Sequence, residues 1–205
     1  MTVAGIVWGV VAFHKTVHTG PLMNSLHGTL KETMKRPCQR IWRFLAQLHS
    51  YPSKQLAQLA FLRALLTVFQ NCRAHSHTSS TSSQTLSDHL PQELLSQALG
   101  NWPADEDSPL WENTDLLACL KDNAPSERTI IVTANGWIGQ MGHPNRVRTG
   151  DLICVLLGCS VPMTLRPVDD HFEVVGDAYL DGVIFGEAIE ALRRGVVGLR
   201  DFELR

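Results

Sequence analysis

His14 and His18 stand four residues apart, a spacing that on one helix face would aim two imidazoles at a metal ion. No Glu completes an H-E-x-x-H pattern and no third ligand follows nearby, so the pair predicts no metal site. His75 and His77 fall in a Ser- and Thr-rich stretch and read as solvated loop histidines. Cys159 sits in a turn, where Arg166 or His171 could lower its pKa, yet the spacing places no general base beside it. Gly136, Gly139, Gly142 and Gly150 fit neither a dinucleotide-binding fingerprint nor a phosphate loop, and read as turn glycines. Asp169, Asp170, Asp177 and Asp181 lack the spacing of a calcium loop and read as a solvated acidic face. The expectation is no catalytic residue, no metal ligand and no cofactor.

Charge offers a different kind of candidate. The formal net charge is −2. Residues 1–75 nevertheless hold nine of the eighteen Lys and Arg against a single acid, Glu32, and the rest of the chain is acidic. Such halves attract each other within a chain, or the basic half meets an anionic partner. Arg40, Arg43 and Arg63 fall on two amphipathic helical patterns in that half and are the candidate interaction residues. No arginine cluster interleaves with stacking aromatics, so nucleic-acid binding through residues 15–73 ranks behind protein contact.

These residues must be carried by elements, and the clearest element is Leu152–Leu157. Six apolar residues, opened by Gly150-Asp151 and closed by Gly158, predict a strand buried on both faces. Val161, Met163 and Leu165 then alternate with Pro162, Thr164 and Arg166, which predicts an antiparallel hairpin partner. Ile130–Thr133 and the segment from Trp137 predict a second hairpin, turned by Asn135-Gly136 in a type I′ geometry. Phe172–Tyr179 predicts a further strand, with Phe172, Val174 and Ala178 on one face. Residues 184–194 predict a closing helix, apolar through Phe185, Ala188, Ile189 and Leu192 and stopped by Gly195.

Ahead of these lie helical patterns. Ile41, Phe44, Leu45 and Leu48 follow helical spacing, and Ser53 caps a second helix running to about Asn71. Residues 74–87 are dominated by Ser and Thr and read as a linker. Two short helices follow, over Pro91–Leu99 and Leu110–Leu120. Met1–Phe13 is apolar apart from Thr2, shorter than the roughly 18–20 residues of a membrane span, and reads as a core strand or helix. The five cysteines, 38, 72, 119, 154 and 159, form no pairing or zinc pattern and suit a reducing compartment.

The run Gly150–Gly158, with Val161-Pro162 and Leu165-Arg166-Pro167, resembles the carboxy-terminal region of fungal heterokaryon-incompatibility (HET) domain proteins. The resemblance extends upstream to Val132-Thr133 and Gly136-Trp137-Ile138-Gly139, and downstream to Val174–Tyr179 and Gly186-Glu187-Ala188. It departs from the family pattern at Phe185, where an acidic residue is usual, and at Thr164, where a large apolar residue is usual. Thr164 therefore implies a less buried strand face. The family's amino-terminal effector domain has no counterpart among these residues.

The combined expectation is an α+β fold: a helical amino-terminal region, then a small antiparallel sheet or partly closed barrel with a closing helix. Its parts are a basic helical region over 1–73, a linker over 74–90, an acidic helical segment over 91–125 and a β-rich domain over 126–205. The resemblance implies a non-catalytic accessory or regulatory region of a cytoplasmic incompatibility protein, working on a protein partner or a missing effector domain, away from membranes. The rivals are an enzyme or nucleotide binder whose site the sequence hides, and a nucleic-acid binder through residues 15–73.

Overall fold

The computed structural model describes residues 1–18, 40, 43, 51, 53–66, 127–141, 146–183 and 186–205. Seven strands carry the fold: β1 (Thr2–His18), β2 (Glu127–Thr133), β3 (Ile138–Met141), β4 (Leu152–Leu156), β5 (Met163–Val168), β6 (His171–Leu180) and β7 (Arg200–Glu203). The helices whose bounds are described are α1 (Lys54–Leu66) and α2 (Glu187–Arg193). The pairings close a ring, β1-β2-β3-β6-β5-β4 and back to β1, with β7 added to the outer half of β1. Every pairing between strands is antiparallel.

The helical amino-terminal region leading into a separate sheet is thereby overturned. The chain begins with a 17-residue strand that holds the barrel together. Val3, Ile6, Val7, Val10 and Val11 are β-branched and favour extended backbone. Register shifts at Val7/Gly9 and Val11/Phe13 bend β1, so its first half pairs with β4 and β7 and its second half with β2. Such bulges add twist and let one strand serve two sheets. The strand runs past the apolar stretch, through His18. The helical patterns over 91–125, the linker over 74–90 and the apolar set of the helix from Ile41 lie outside the described residues.

Both hairpins read from the sequence form. Leu152 pairs with Leu165 and Cys154 with Met163, while Val132 pairs with Ile138. The second turn is not type I′, because only Gly136 takes a positive φ, 82°. Gly136 N–H donates to Thr133 O and Thr133 N–H to Trp137 O, a three-residue loop with glycine in the left-handed position. β4 is buried on both faces because it divides two cores. Ile153 joins Ile6, Val11, Ile131 and Leu180 on one side. Leu152, Cys154 and Leu156 meet Phe202 on the other.

β6 departs from the expected alternation. Val174 is 47% exposed while Val175 is 7% exposed. A register shift sets Leu165 opposite Val174 but Thr164 opposite Gly176, which leaves Val175 as the extra residue and reverses the faces. Thr164 is also fully buried, against expectation, with its hydroxyl 2.9 Å from Met141 Sδ. The neighbouring strands supply the cover that the one-sided pattern of β5 did not foresee.

Helix α1 begins on Ser53, whose Oγ accepts the Leu56 N–H at 3.2 Å, as its sequence position predicted. Ala60, Phe61 and Ala64 form its buried stripe, while Leu56 is exposed. Helix α2 ends in a Schellman motif: Gly195, at φ 69°, donates to Leu192 O and Val196 N–H donates to Ala191 O. Among the described residues no helix is long and apolar enough to cross a membrane.

Candidate functional site

The best-defined polar site grows from the turn that opens β4. Asp151 is 2% exposed, and its carboxylate takes the Arg148 N–H at 2.7 Å. Arg166, on β5, donates Nε to Oδ1 at 2.9 Å and Nη2 to Oδ2 at 2.8 Å, a two-pronged pairing that matches the planar fork of guanidinium to carboxylate. The same Nη2 donates to Arg146 O at 2.7 Å. On the backbone side Val11 N–H donates to Asp151 O and Gly150 N–H to Val11 O, both at 2.8 Å. One aspartate thus ties the 146–150 segment to β5 and to the bend of β1. The bonds to Asp151 raise the guanidinium pKa of Arg166 above its ordinary value, and the charges of Asp151 and Glu173 add to this against a desolvation cost. Arg166 stays cationic.

Beside this tie opens a recess of about 340 Å³, lined by Arg146, Arg148, Arg166, Glu173, Val174 and Val175. The bulge in β6 builds its apolar wall. Arg146 and Arg148 are exposed, and among the described residues neither guanidinium has a partner. As a candidate for chemistry Arg166 stood out in the sequence only beside Cys159, and Arg146 and Arg148 did not stand out at all. A signal was available. Leu152 opposite Leu165 puts Asp151 opposite Arg166, so the hairpin register alone pairs the two charges.

A second polar group fastens α1 to the barrel. Tyr51 stacks edge-on against Trp137, ring centroids 5.7 Å apart, and Trp137 meets Trp8 at 6.3 Å. Ile138 N–H donates to Tyr51 Oη at 3.3 Å. Asp181, 8% exposed, receives Tyr179 Oη at 3.3 Å and Arg63 Nη1 at 3.5 Å. Burial raises the Asp181 pKa, while Arg63 and the hydroxyl of Tyr179 oppose the rise. Burial also raises the Tyr51 pKa, so its hydroxyl stays protonated.

The three candidate interaction residues therefore separate. Arg40 and Arg43 are exposed helical residues, whereas Arg63 reaches into the seam under its own helix. His14 and His18 lie on β1, where four residues span about 13 Å, too far for one ion. Among the described residues no group of three or more His, Cys, Asp or Glu is placed to hold a metal. Cys159 is exposed in its turn, but Arg166 is committed to Asp151 and His171 bonds Asp170 at 3.1 Å.

Residues 110–199 match the family model of the Het-6 β-barrel domain. A 67-residue stretch is also 36% identical to heterokaryon incompatibility protein 6, OR allele, of Neurospora crassa. This region belongs to the fungal heterokaryon-incompatibility family. The similarity to the Neurospora crassa protein covers 31% of this chain and 10% of that protein. No solved structure matches the chain. β2 to β6 and α2 fall inside the matched segment, and so do Asp151, Arg166 and the recess. β1 and β7 complete the ring and its added edge from outside that segment.

Proposed function

We propose that this chain serves heterokaryon incompatibility as a non-catalytic region acting through protein contact in the cytoplasm, regulating an effector of non-self recognition and cell death. One observation carries the non-catalytic part. Among the described residues both buried carboxylates, Asp151 and Asp181, are spent on structural ties to Arg166 and to Arg63 and Tyr179. A catalytic carboxylate needs an open side toward substrate, and these two face arginines of their own fold. The contact surface includes Arg40 and Arg43, which are exposed.

Expression of the wild-type chain and of an Arg40→Glu/Arg43→Glu variant in a fungal host tests this reading. Survival of fused cells is scored, and the purified variant is checked for an unchanged melting temperature. Wild type should alter survival and the folded variant should not. A variant as effective as wild type removes the arginines from the mechanism. A wild-type chain without effect removes the incompatibility role.

A further inference from the structure

From the residues lining the recess beside Asp151, we propose that it binds a small hydroxyl-bearing phosphate ester, such as a sugar phosphate or a nucleotide. Three features of the site select that class. Arg146 and Arg148 offer exposed guanidiniums, and among the described residues nothing else uses them. Guanidinium groups match phosphate oxygens with paired charged hydrogen bonds. The segment bearing them is held by Arg166, which bonds the Arg146 carbonyl, and by Asp151, which takes the Arg148 N–H. The backbone is thus already in place when a ligand arrives and only the two side chains remain to be ordered, which lowers the entropic cost of binding.

Glu173 and Val174 distinguish an ester from a bare ion. Glu173 is exposed and lines the recess, where its carboxylate repels a second anion but accepts hydrogen bonds from hydroxyls. Val174 is 47% exposed and supplies an apolar surface for a sugar or base ring. The volume, about 340 Å³, lies at the lower end of the roughly 300–1,000 Å³ usual for small-molecule sites, and is large for a single phosphate. This assignment stands apart from the protein-contact reading, because neither Arg40 nor Arg43 takes part in it.

Calorimetric titration of the full chain with ribose 5-phosphate, adenosine 5′-monophosphate, inorganic phosphate and ribose provides the test. Either ester should bind about tenfold more tightly than inorganic phosphate, and ribose should not bind. A preference between the two esters separates a sugar-phosphate source from a nucleotide source. Arg146→Gln/Arg148→Gln should weaken ester binding by about tenfold or more, since each lost charged hydrogen bond is worth roughly a factor of ten. Both side chains are exposed, so its melting temperature should match wild type. Glu173→Gln should weaken ester binding while leaving phosphate binding equal or stronger. No ester binding, equal binding of ester and phosphate, or full affinity in the folded double variant would each overturn the assignment.

Discussion

Asp151 and Arg166 face each other across the β4–β5 hairpin, 15 residues apart in sequence, in a paired contact of 2.9 and 2.8 Å. The carboxylate is nearly sealed, with 3% of its side chain exposed, while the guanidinium keeps 19%. Removing one partner of a buried pair strands the other charge, whereas replacing both with apolar groups of similar size is tolerated. Asp151→Asn should therefore destabilise the barrel toward the lower end of the roughly 3–5 kcal/mol range for such losses, because Arg166 regains some water. Asp151→Leu/Arg166→Met should recover part of that loss, the remainder reflecting the Arg148 N–H and Arg146 carbonyl left without their side-chain partners. Urea denaturation of the single and double variants measures both. A double variant weaker than the sum of its singles would refute the pairing as the cause.

Asp181 should make stability depend on pH in the opposite sense to a salt-bridged surface acid. Burial raises its folded-state pKa above the ordinary carboxylate value of 3.8, with Arg63 and Tyr179 only partly offsetting this. The folded state thus holds the proton more tightly than the unfolded state. The associated stability is complete below 3.8 and is lost as pH rises through the folded-state value. Arg63 is 40% exposed, so water screens its attraction for the carboxylate. Asp181→Asn removes the titration. Relative to that variant, wild type should lose stability as pH rises from acid toward neutral. Thermal melts across that range decide it, and a pH-independent difference would count against the argument.

How far the sequence reveals this barrel depends on how far apart its partners lie. Leu152–Leu157 with its flanking glycines, the Asn135-Gly136 turn and the Gly195 stop are local signals, and each forms an element where it was expected, except that Leu157 falls past the end of β4 and is exposed. β1 is different. Its partners at residues 127–133, 152–156 and 200–203 are remote, and its two bulges break the period-2 pattern that marks a strand. β6 fails for the same reason, since one extra residue at Val175 turns Val174 outward. Thr164 looked half-wet because its strand was read without the cover that packs over it. The recess needed a further step: Arg146 and Arg148 become its lining only once Asp151 and Arg166 fix the segment that bears them.

Gly139 and Gly182 are two of the places where the barrel has no room for a side chain. A Cβ at Gly139 would collide with the carbonyl oxygen of Tyr179, on the strand with which β3 pairs. Backbone cannot yield there without parting β3 from β6. Gly139→Ala should exceed the roughly 1–3 kcal/mol typical of overpacking. Gly182 combines a φ of 79° with a Cβ position 2.9 Å from Trp137 Cζ3. Gly182→Ala adds left-handed strain of about 1–2 kcal/mol and displaces the indole. Gly195→Ala has the strain without the contact, because nothing lies within 4 Å. Guanidinium unfolding should rank the losses Gly139, then Gly182, then Gly195, and Gly182→Ala alone should shift tryptophan fluorescence. The reverse order would mean that conformation, not close approach, dominates.

The two described cysteines should differ sharply toward thiol reagents. Cys154 is fully buried on β4 among Leu152, Leu156, Leu165 and Phe202. Burial pushes its pKa up to about 12, with the charge of Arg200 opposing weakly. Thiolate is the reactive form, so at neutral pH Cys154 offers neither the ion nor a path to it. Cys159 is exposed in the turn that follows β4. Iodoacetamide followed by peptide mass spectrometry should find Cys159 alkylated in the folded chain and Cys154 modified only as the barrel opens. Adding urea below the unfolding midpoint should accelerate Cys154 alone. Asp151→Asn should do the same, because it loosens the hairpin that buries Cys154. Equal labelling of the two cysteines under native conditions would show that β4 is not the sealed strand between two cores.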